Sequence, residues 1–206
     1  MNNRQFILLR AGVAVSMLLV AACAGPVWGE GLAARENLVQ NPDFEEVKNG
    51  LPQEWTRYVG DGHIDGWKVL DTAKHQGIKM NLSTEEHKTG ARSIFMGSDK
   101  STICGFGQKV KVKGGGLYLF SVWVKCRDLK ATGEGGAITF NFDSKGEKLN
   151  FQYIDLRQMR GTKDWFLVRK MLKTPKGASE MKLVLYGLFN GYGQAWLDTV
   201  QFVQLR

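Results

Sequence analysis

Few residues of this 206-residue chain have the types and spacing for covalent chemistry. Asp61, Asp65, Asp143 and Asp155 supply carboxylates, and two of these are enough for acid–base cleavage of an acetal. No spacing in the sequence pairs any two of them. His63, His75 and His87 lack the spacing of metal ligands, and no nucleophile elbow, zinc motif or phosphate loop occurs. What remains is a pair of cysteines, Cys104 and Cys126, and a large complement of aromatic rings: 6 Trp, 11 Phe and 5 Tyr. Aromatic rings fill cores and also serve as flat stacking surfaces, so their placement decides which they do.

The element that positions these residues runs from Ile103 to Cys126. It reads as two strands joined by Gly114-Gly115-Gly116. Folded about that turn, Val112 faces Tyr118, Val110 faces Phe120, Gln108 faces Val122, Phe106 faces Val124 and Cys104 faces Cys126. With a period of two, these residues share one face, nearly all apolar, which must be core. The opposite face carries Gly105, Gly107, Lys109 and Lys111 against Leu119, Ser121, Trp123 and Lys125. Trp123 then stands beside glycines that leave its ring bare; the alternative is a ring covered by a neighbouring loop. Gln108 sits awkwardly on the core face, and a bulge near Gly107 would rotate it outward.

Residues 1–23 place Arg4 and Arg10 ahead of the apolar run Ala11–Ala22, the pattern of an export signal rather than a spanning helix. Val20-Ala-Ala-Cys23 is also close to a lipoprotein cleavage site, which makes Cys23 a candidate for lipidation; cleavage after Ala24 or Gly29 by ordinary signal peptidase is the other reading. Residues 24–35 are small and aperiodic, a tether, and the folded domain is expected over 36–206. In an oxidising compartment Cys104 and Cys126, opposite in the register above, would persist as a disulfide; two buried thiols are the alternative. The formal charge of +8 falls by Arg4 and Arg10 to 8 − 2 = +6 once the leader is gone. Lys109, Lys111 and Lys113 form a stripe along one strand face, which keeps such a surface solvated; attraction of a polyanion is the alternative. Export makes nucleic acid an unsuitable partner.

From residue 36 onward the chain shows some ten short strands separated by turns such as Asn49-Gly50, Asp143–Gly146 and Thr174–Gly177, and no amphipathic helix beyond two turns. That implies an all-β chain, an antiparallel β-sandwich or jelly roll. Ile138, Phe140 and Phe142 alternate on one such strand, and Leu156 to Met159 reads as a single helical turn.

The order of several segments resembles the carbohydrate-binding modules of families 4, 9 and 22: Asn37-Leu, Asn41-Pro-Asp-Phe44-Glu45 and Gly50-Leu-Pro52 with Trp55; then His87-Lys-Thr-Gly90-Ala-Arg-Ser93; Tyr118-Leu-Phe120-Ser-Val-Trp-Val124; and Trp165-Phe-Leu-Val168, Thr174-Pro175 and Gly193-Gln-Ala-Trp196-Leu-Asp198. The resemblance covers nearly all of 36–206 and implies a galactose-binding-domain-like jelly roll. It also implies a structural calcium ion, Ca2+, held by Glu45 and Asp198 with carbonyls near Lys88 and Gly90, Asp43 being a substitute for Glu45. The alternative for Asp198 is a hydrogen-bonded buried acid beside Trp196. The family pattern places Trp55, Trp165 and Trp196 in structural positions.

Sugar rings lay their C–H faces on aromatic rings while amides and acids bind the hydroxyls. On that basis the candidate ligand-binding residues are Trp123, Trp67, Tyr58, Tyr153 and Tyr192, with Asn141 and Gln152 as polar partners. The function these residues imply is an exported, non-catalytic domain that binds a poly- or oligosaccharide on one sheet face by stacking. It would sit in a bacterial cell envelope through a lipid anchor on Cys23 or be secreted, as a monomer without a transmembrane helix. Two alternatives stand beside it: a small jelly-roll glycoside hydrolase or polysaccharide lyase, and a cell-surface protein-interaction or structural domain.

Overall fold

Asn37 fixes where the folded chain begins. Its Oδ1 accepts the amide of Phe202 at 2.9 Å, and its Nδ2 donates to the carbonyl of Val200 at 2.9 Å. The segment it opens makes one strand bridge, Asn37 with Val203, and is held besides by the Leu38 amide on the Phe202 carbonyl and the Val200 amide on the Pro42 carbonyl. The structure, a computed structural model, describes residues 35–60, 68–69 and 75–206. The leader, the tether up to Ala34, Cys23, Trp67, Asp61, Asp65 and His63 lie outside the described residues. Arg35–Arg206 form one compact unit.

A second asparagine organises the next loop. Asn41, at φ 44°, donates to the carbonyls of Glu46 and Gln53 and accepts the amide of Glu46, while Trp55 Nε1 donates to its carbonyl. This ties β1 (Val47–Lys48) and β2 (Leu51–Pro52) into a small hairpin and buries Trp55 against Phe44, their rings 5.2 Å apart.

The remaining elements are β3 (Thr56–Gly60), β4 (Lys68–Val69), β5 (Lys79–Ser83), β6 (Ser93–Lys111), β7 (Leu117–Ser144), β8 (Glu147–Asp155), β9 (Gly161–Lys173) and β10 (Glu180–Gln204). All pairings are antiparallel, and the described residues contain no helix. The expected turn at Leu156–Met159 is a tight turn closed by the Met159 amide on the Leu156 carbonyl.

Three of these strands, β6, β7 and β10, are far too long for one sheet. Phe120 and Phe140 both belong to β7, and twenty residues of straight strand would separate them by roughly 65 Å; their rings meet edge-on at 5.1 Å. The strand therefore turns over, and its halves face each other across the core. The first sheet runs β5, residues 93–98 of β6, 193–204 of β10, 117–131 of β7, then β9. The second runs β4, β3, residues 102–111 of β6, 180–191 of β10, 135–144 of β7, then β8. This is the jelly-roll sandwich. The turnover falls at register shifts around Gly191 and Gly193. Gly193 adopts φ +119°, and a Cβ there would meet the Asp128 carbonyl at 2.6 Å, so only glycine lets β10 pass so close to β7.

The core face of each strand is as its alternation requires: Cys104, Phe106, Val110, Tyr118, Phe120, Val122, Val124 and Cys126 are all buried, as are Ile138, Phe140 and Phe142. Burying each large side chain contributes about 1.5–3 kcal/mol before ordering costs.

The pairing of the central segment is different from the expected hairpin. β6 and β7 do not pair; β10 lies between them in both sheets. The Gly114–Gly116 turn carries the chain from the second sheet to the first instead of folding it back beside itself. Cys104 thus lies opposite Leu188 and Cys126 opposite Ala195, and both are free buried thiols rather than a disulfide. Burial pushes the Cys104 thiol up to about 12, which keeps it protonated and unreactive. Gln108 also stays on the core side, without a bulge. Its Oε1 accepts the Gln40 amide and its Nε2 donates to the Gln40 carbonyl, both at 3.0 Å, so a buried amide is satisfied while stapling the first segment to β6. No helix among the described residues is long and apolar enough to cross a membrane.

Candidate functional site

The outer face of the second sheet gathers three of the expected ligand residues. Register places Tyr58 in a row with Gly105, Tyr186 and Ala137, and Tyr153 in the next row with Thr139, Val184 and Gly107. The following row holds Lys109, Lys182, Asn141 and Phe151. Glycine at 107 is needed because a Cβ would meet Val184 Cγ2 at 2.7 Å and the Tyr58 ring at 3.2 Å. Ile103, Ala137, Val184 and Tyr186 form a buried apolar cluster on this outer side, with Tyr58 and Phe189 packed against it. Burial drives the Tyr186 phenol above its ordinary range, so it stays neutral.

Aromatic rings stand on both flanks of this face. Tyr58 lies on β3. Phe151 and Tyr153, two residues apart on β8, stack at 5.8 Å with planes 19° apart, and Tyr153 is 49% exposed. Four strand spacings separate the flanks, about 19 Å, the span of an extended ligand. Between them Lys182 Nζ sits 3.9 Å from the Tyr58 ring centre. Burial, and then the charge of Lys109, hold Lys182 below the usual lysine range. Lys109 is paired with Glu180 at 2.9 Å, and that partner raises it. Phe151 and Lys182 escaped the sequence reading, although alternation with Tyr153 and with core Met181 and Leu183 carried the signal for both.

The other expected ligand residues do not join this face. Trp123 belongs to the first sheet, opposite Asp198 and Leu167. It has no glycine neighbours there, because the hairpin that supplied them does not form, and Lys88 Nζ caps its ring at 4.1 Å. Gln152 pairs with Phe140 on the core side, where its amide donates to the Lys173 carbonyl. Tyr192 stands at the turnover of β10, with Lys130 Nζ 5.8 Å from its ring. Trp67 lies outside the described residues.

The expected calcium ligands form a clamp of another kind. Asp198, fully buried, accepts the amides of Lys88 (2.6 Å) and Thr89 (3.0 Å) on Oδ2, and the amide (2.6 Å) and hydroxyl (3.2 Å) of Thr199 on Oδ1. Burial raises its pKa and these donors oppose the rise. Glu45 takes the amides of Ala91 and Arg92 on Oε1 and the Arg92 guanidinium on Oε2. Burial works against its ionisation, yet those donors and the Arg92 charge hold its carboxyl below the usual range. Gly90 is glycine because a Cβ would strike Glu45 Oε1 at 2.3 Å. All four acceptor positions of Asp198 are filled by hydrogen-bond donors, whereas calcium needs bare oxygens converging on one point. The residues as arranged do not fit a calcium ion; they lock the 88–92 turn over Trp123 through hydrogen bonds. Thr199, at φ 52° beside a register shift, carries the backbone strain of that lock.

No protein-family model matches the chain, and no curated protein matches it. Solved structures do. The CBM22-1 xylan-binding domain from Paenibacillus barcinonensis Xyn10C superposes with a TM-score of 0.54 at 17% identity, covering 84% of this chain and 97% of that one. The enzymatically active domain of the bacteriophage CBA120 tailspike protein 4 gives 0.59 at 12% identity, covering 82% of this chain and 21% of that one. An arabinose-bound α-L-arabinofuranosidase, MgGH51, gives 0.52 at 16% identity over 84% and 27%. The chain thus spans about a fifth of the tailspike chain and nearly all of the xylan-binding domain. At these identities the likeness is one of fold: the chain has the jelly roll of carbohydrate-binding modules.

Proposed function

We propose that the chain is an exported, non-catalytic domain that binds a poly- or oligosaccharide across the outer face of its second sheet. One observation carries the reading. Aromatic rings flank a single sheet face about 19 Å apart, with Lys182 and Asn141 between them to meet hydroxyls. Tyr153 and Phe151 offer the stacking surface on one side, each ring contact worth about 0.5–1.5 kcal/mol beyond its buried area, and Tyr58, with Lys182 over its ring, bounds the other side. The fold supports the reading, since a xylan-binding domain shares it. Export, with or without lipidation of Cys23, rests on the leader-like residues 1–23. The test is an affinity-gel screen of the full chain over neutral polysaccharides, comparing Tyr153→Ala with the unchanged protein. Retardation lost in the variant supports the face; retardation unchanged sinks it.

A second reading has its own observation. Asp143 and Glu180 are cross-strand partners on this same face, about 5 Å apart at Cβ, so their carboxyls are within reach of a common acetal as in a glycosidase pair. The Lys109–Glu180 ion pair favours a structural role for Glu180. Release of reducing ends from a glycan panel, abolished by Glu180→Gln, would instead establish hydrolysis.

A further inference from the structure

The first sheet carries a recess on its own outer face, remote in register from the face described above. Its floor is the row in which Lys79, Gly97, Gln194 and Arg127 stand side by side across β5, β6, β10 and β7. The floor is low at Gly97, where a Cβ would meet Phe95 Cζ at 2.7 Å, so the bare backbone lets the phenyl ring lie along the sheet. That ring rests on Trp196, 5.2 Å away and tilted 43°, which fixes its position. The recess has a volume of about 390 Å³ and continues past Phe95, Arg127 and Gln194 into a second of about 280 Å³.

Two lysines without an ion-pair partner among the described residues distinguish this recess from an incidental dent. Arg127 is committed to Glu86 through a close ion pair and lies over Trp196 at 5.2 Å. Lys79 on one wall and Lys130 on the other have no carboxylate partner among the described residues. Lys130 stands beside the Tyr192 ring, which is 38% exposed. Asp99 and Asp128 also line the recess, and Glu85 and Glu86 its continuation; these acids accept hydroxyl groups, so an anionic group has to sit at the two lysines.

We propose that this recess is a second binding site, for an acidic oligosaccharide. Anionic groups of the sugar, carboxylate or sulfate, reach Lys79 and Lys130, while ring C–H faces lie on Phe95 and Tyr192. Charge-assisted contacts of this kind are about twice as strong as neutral ones, and they weaken with salt. The site shares no residue with the second-sheet face, so either can fail alone.

Isothermal titration of the full chain with tri-galacturonate, a sulfated galactan tetrasaccharide and neutral galactotriose separates the sources. The expected result is binding of at least one acidic probe, weakened about tenfold or more by Lys79→Ala/Lys130→Ala and by 0.5 M salt, and unchanged in Tyr153→Ala. The carboxylate and sulfate arms identify the anionic group. Two exposed lysines leave the core untouched, and an unchanged melting temperature confirms that. Failure of both acidic probes to bind, or less than a twofold loss in the double variant, overturns the proposal. So does a neutral galactotriose affinity that matches the acidic probes and falls equally with the lysines.

Discussion

The outer faces of the two sheets carry the same kinds of residue and use them differently. On the first sheet, the 86–92 segment is tied down over the strands. Asp198 holds the Lys88 amide, which fixes Lys88 over Trp123, and Glu86 bridges Lys125 and Arg127. The Lys125 pair both raises that lysine and lowers Glu86. On the second sheet, no such segment among the described residues lies over Phe151 and Tyr153, and among those residues no cation lies over either ring. Tyr58 carries Lys182 much as Trp123 carries Lys88, so the contrast between the sheets rests on Phe151 and Tyr153, whose rings local chemistry has not claimed. A tryptophan counts for less than its surroundings.

The clamp is the sharpest point of difference, so breaking it has the largest effect. Asp198→Ala removes a buried acceptor shared by the part-buried amides of Lys88, Thr89 and Thr199, and should cost about 3 kcal/mol in denaturant unfolding; a loss below about 1 kcal/mol would show that the turn is held otherwise. Gln108→Ala, which leaves the Gln40 amide and carbonyl without partners, should cost about 1–3 kcal/mol by the same measurement. Glu45 offers a pH test. Its carboxyl is lowered in the fold, so its contribution is present above the ordinary carboxylate range and lost as pH falls through the folded value. The stability gap between the unchanged protein and Glu45→Gln should therefore be full at neutral pH and close on acidification; a gap independent of pH would contradict the assignment. The smallest expected effect is that of calcium removal, since the acids are already filled by donors. Chelator should leave the melting temperature unchanged, and a marked drop would mean that the clamp rearranges around a cation.

Much of this was legible in the residues. The two-residue alternation identified the buried faces of β6 and β7 correctly even though the partner strand was wrong, because a residue's face depends on its own strand while pairing depends on a strand seventy residues away. Gly114–Gly116 read as a hairpin turn for the same reason: triple glycine signals a reversal, and nothing local says whether the chain returns beside itself or crosses to the opposite layer. The disulfide and the exposed position of Trp123 both followed from that one register and fell with it. Asp198 and Glu45 were expected as calcium ligands; in the fold they accept mostly backbone amides, which carry no sequence signal, with the Thr199 hydroxyl and the Arg92 guanidinium. Alternation puts Tyr58, Asn141 and Tyr153 on the outer side of their strands; that they share one face depends on the interposed β10, which no local pattern shows.

The comparison between the faces comes down to one measurement, saccharide binding by the full chain in parallel affinity gels with Tyr58→Ala/Tyr153→Ala and with Trp123→Ala. The prediction is a loss of about tenfold or more in the first and less than a twofold change in the second on a neutral polysaccharide. Binding that survives the double tyrosine variant and disappears with Trp123 would place the site on the other sheet and contradict the account.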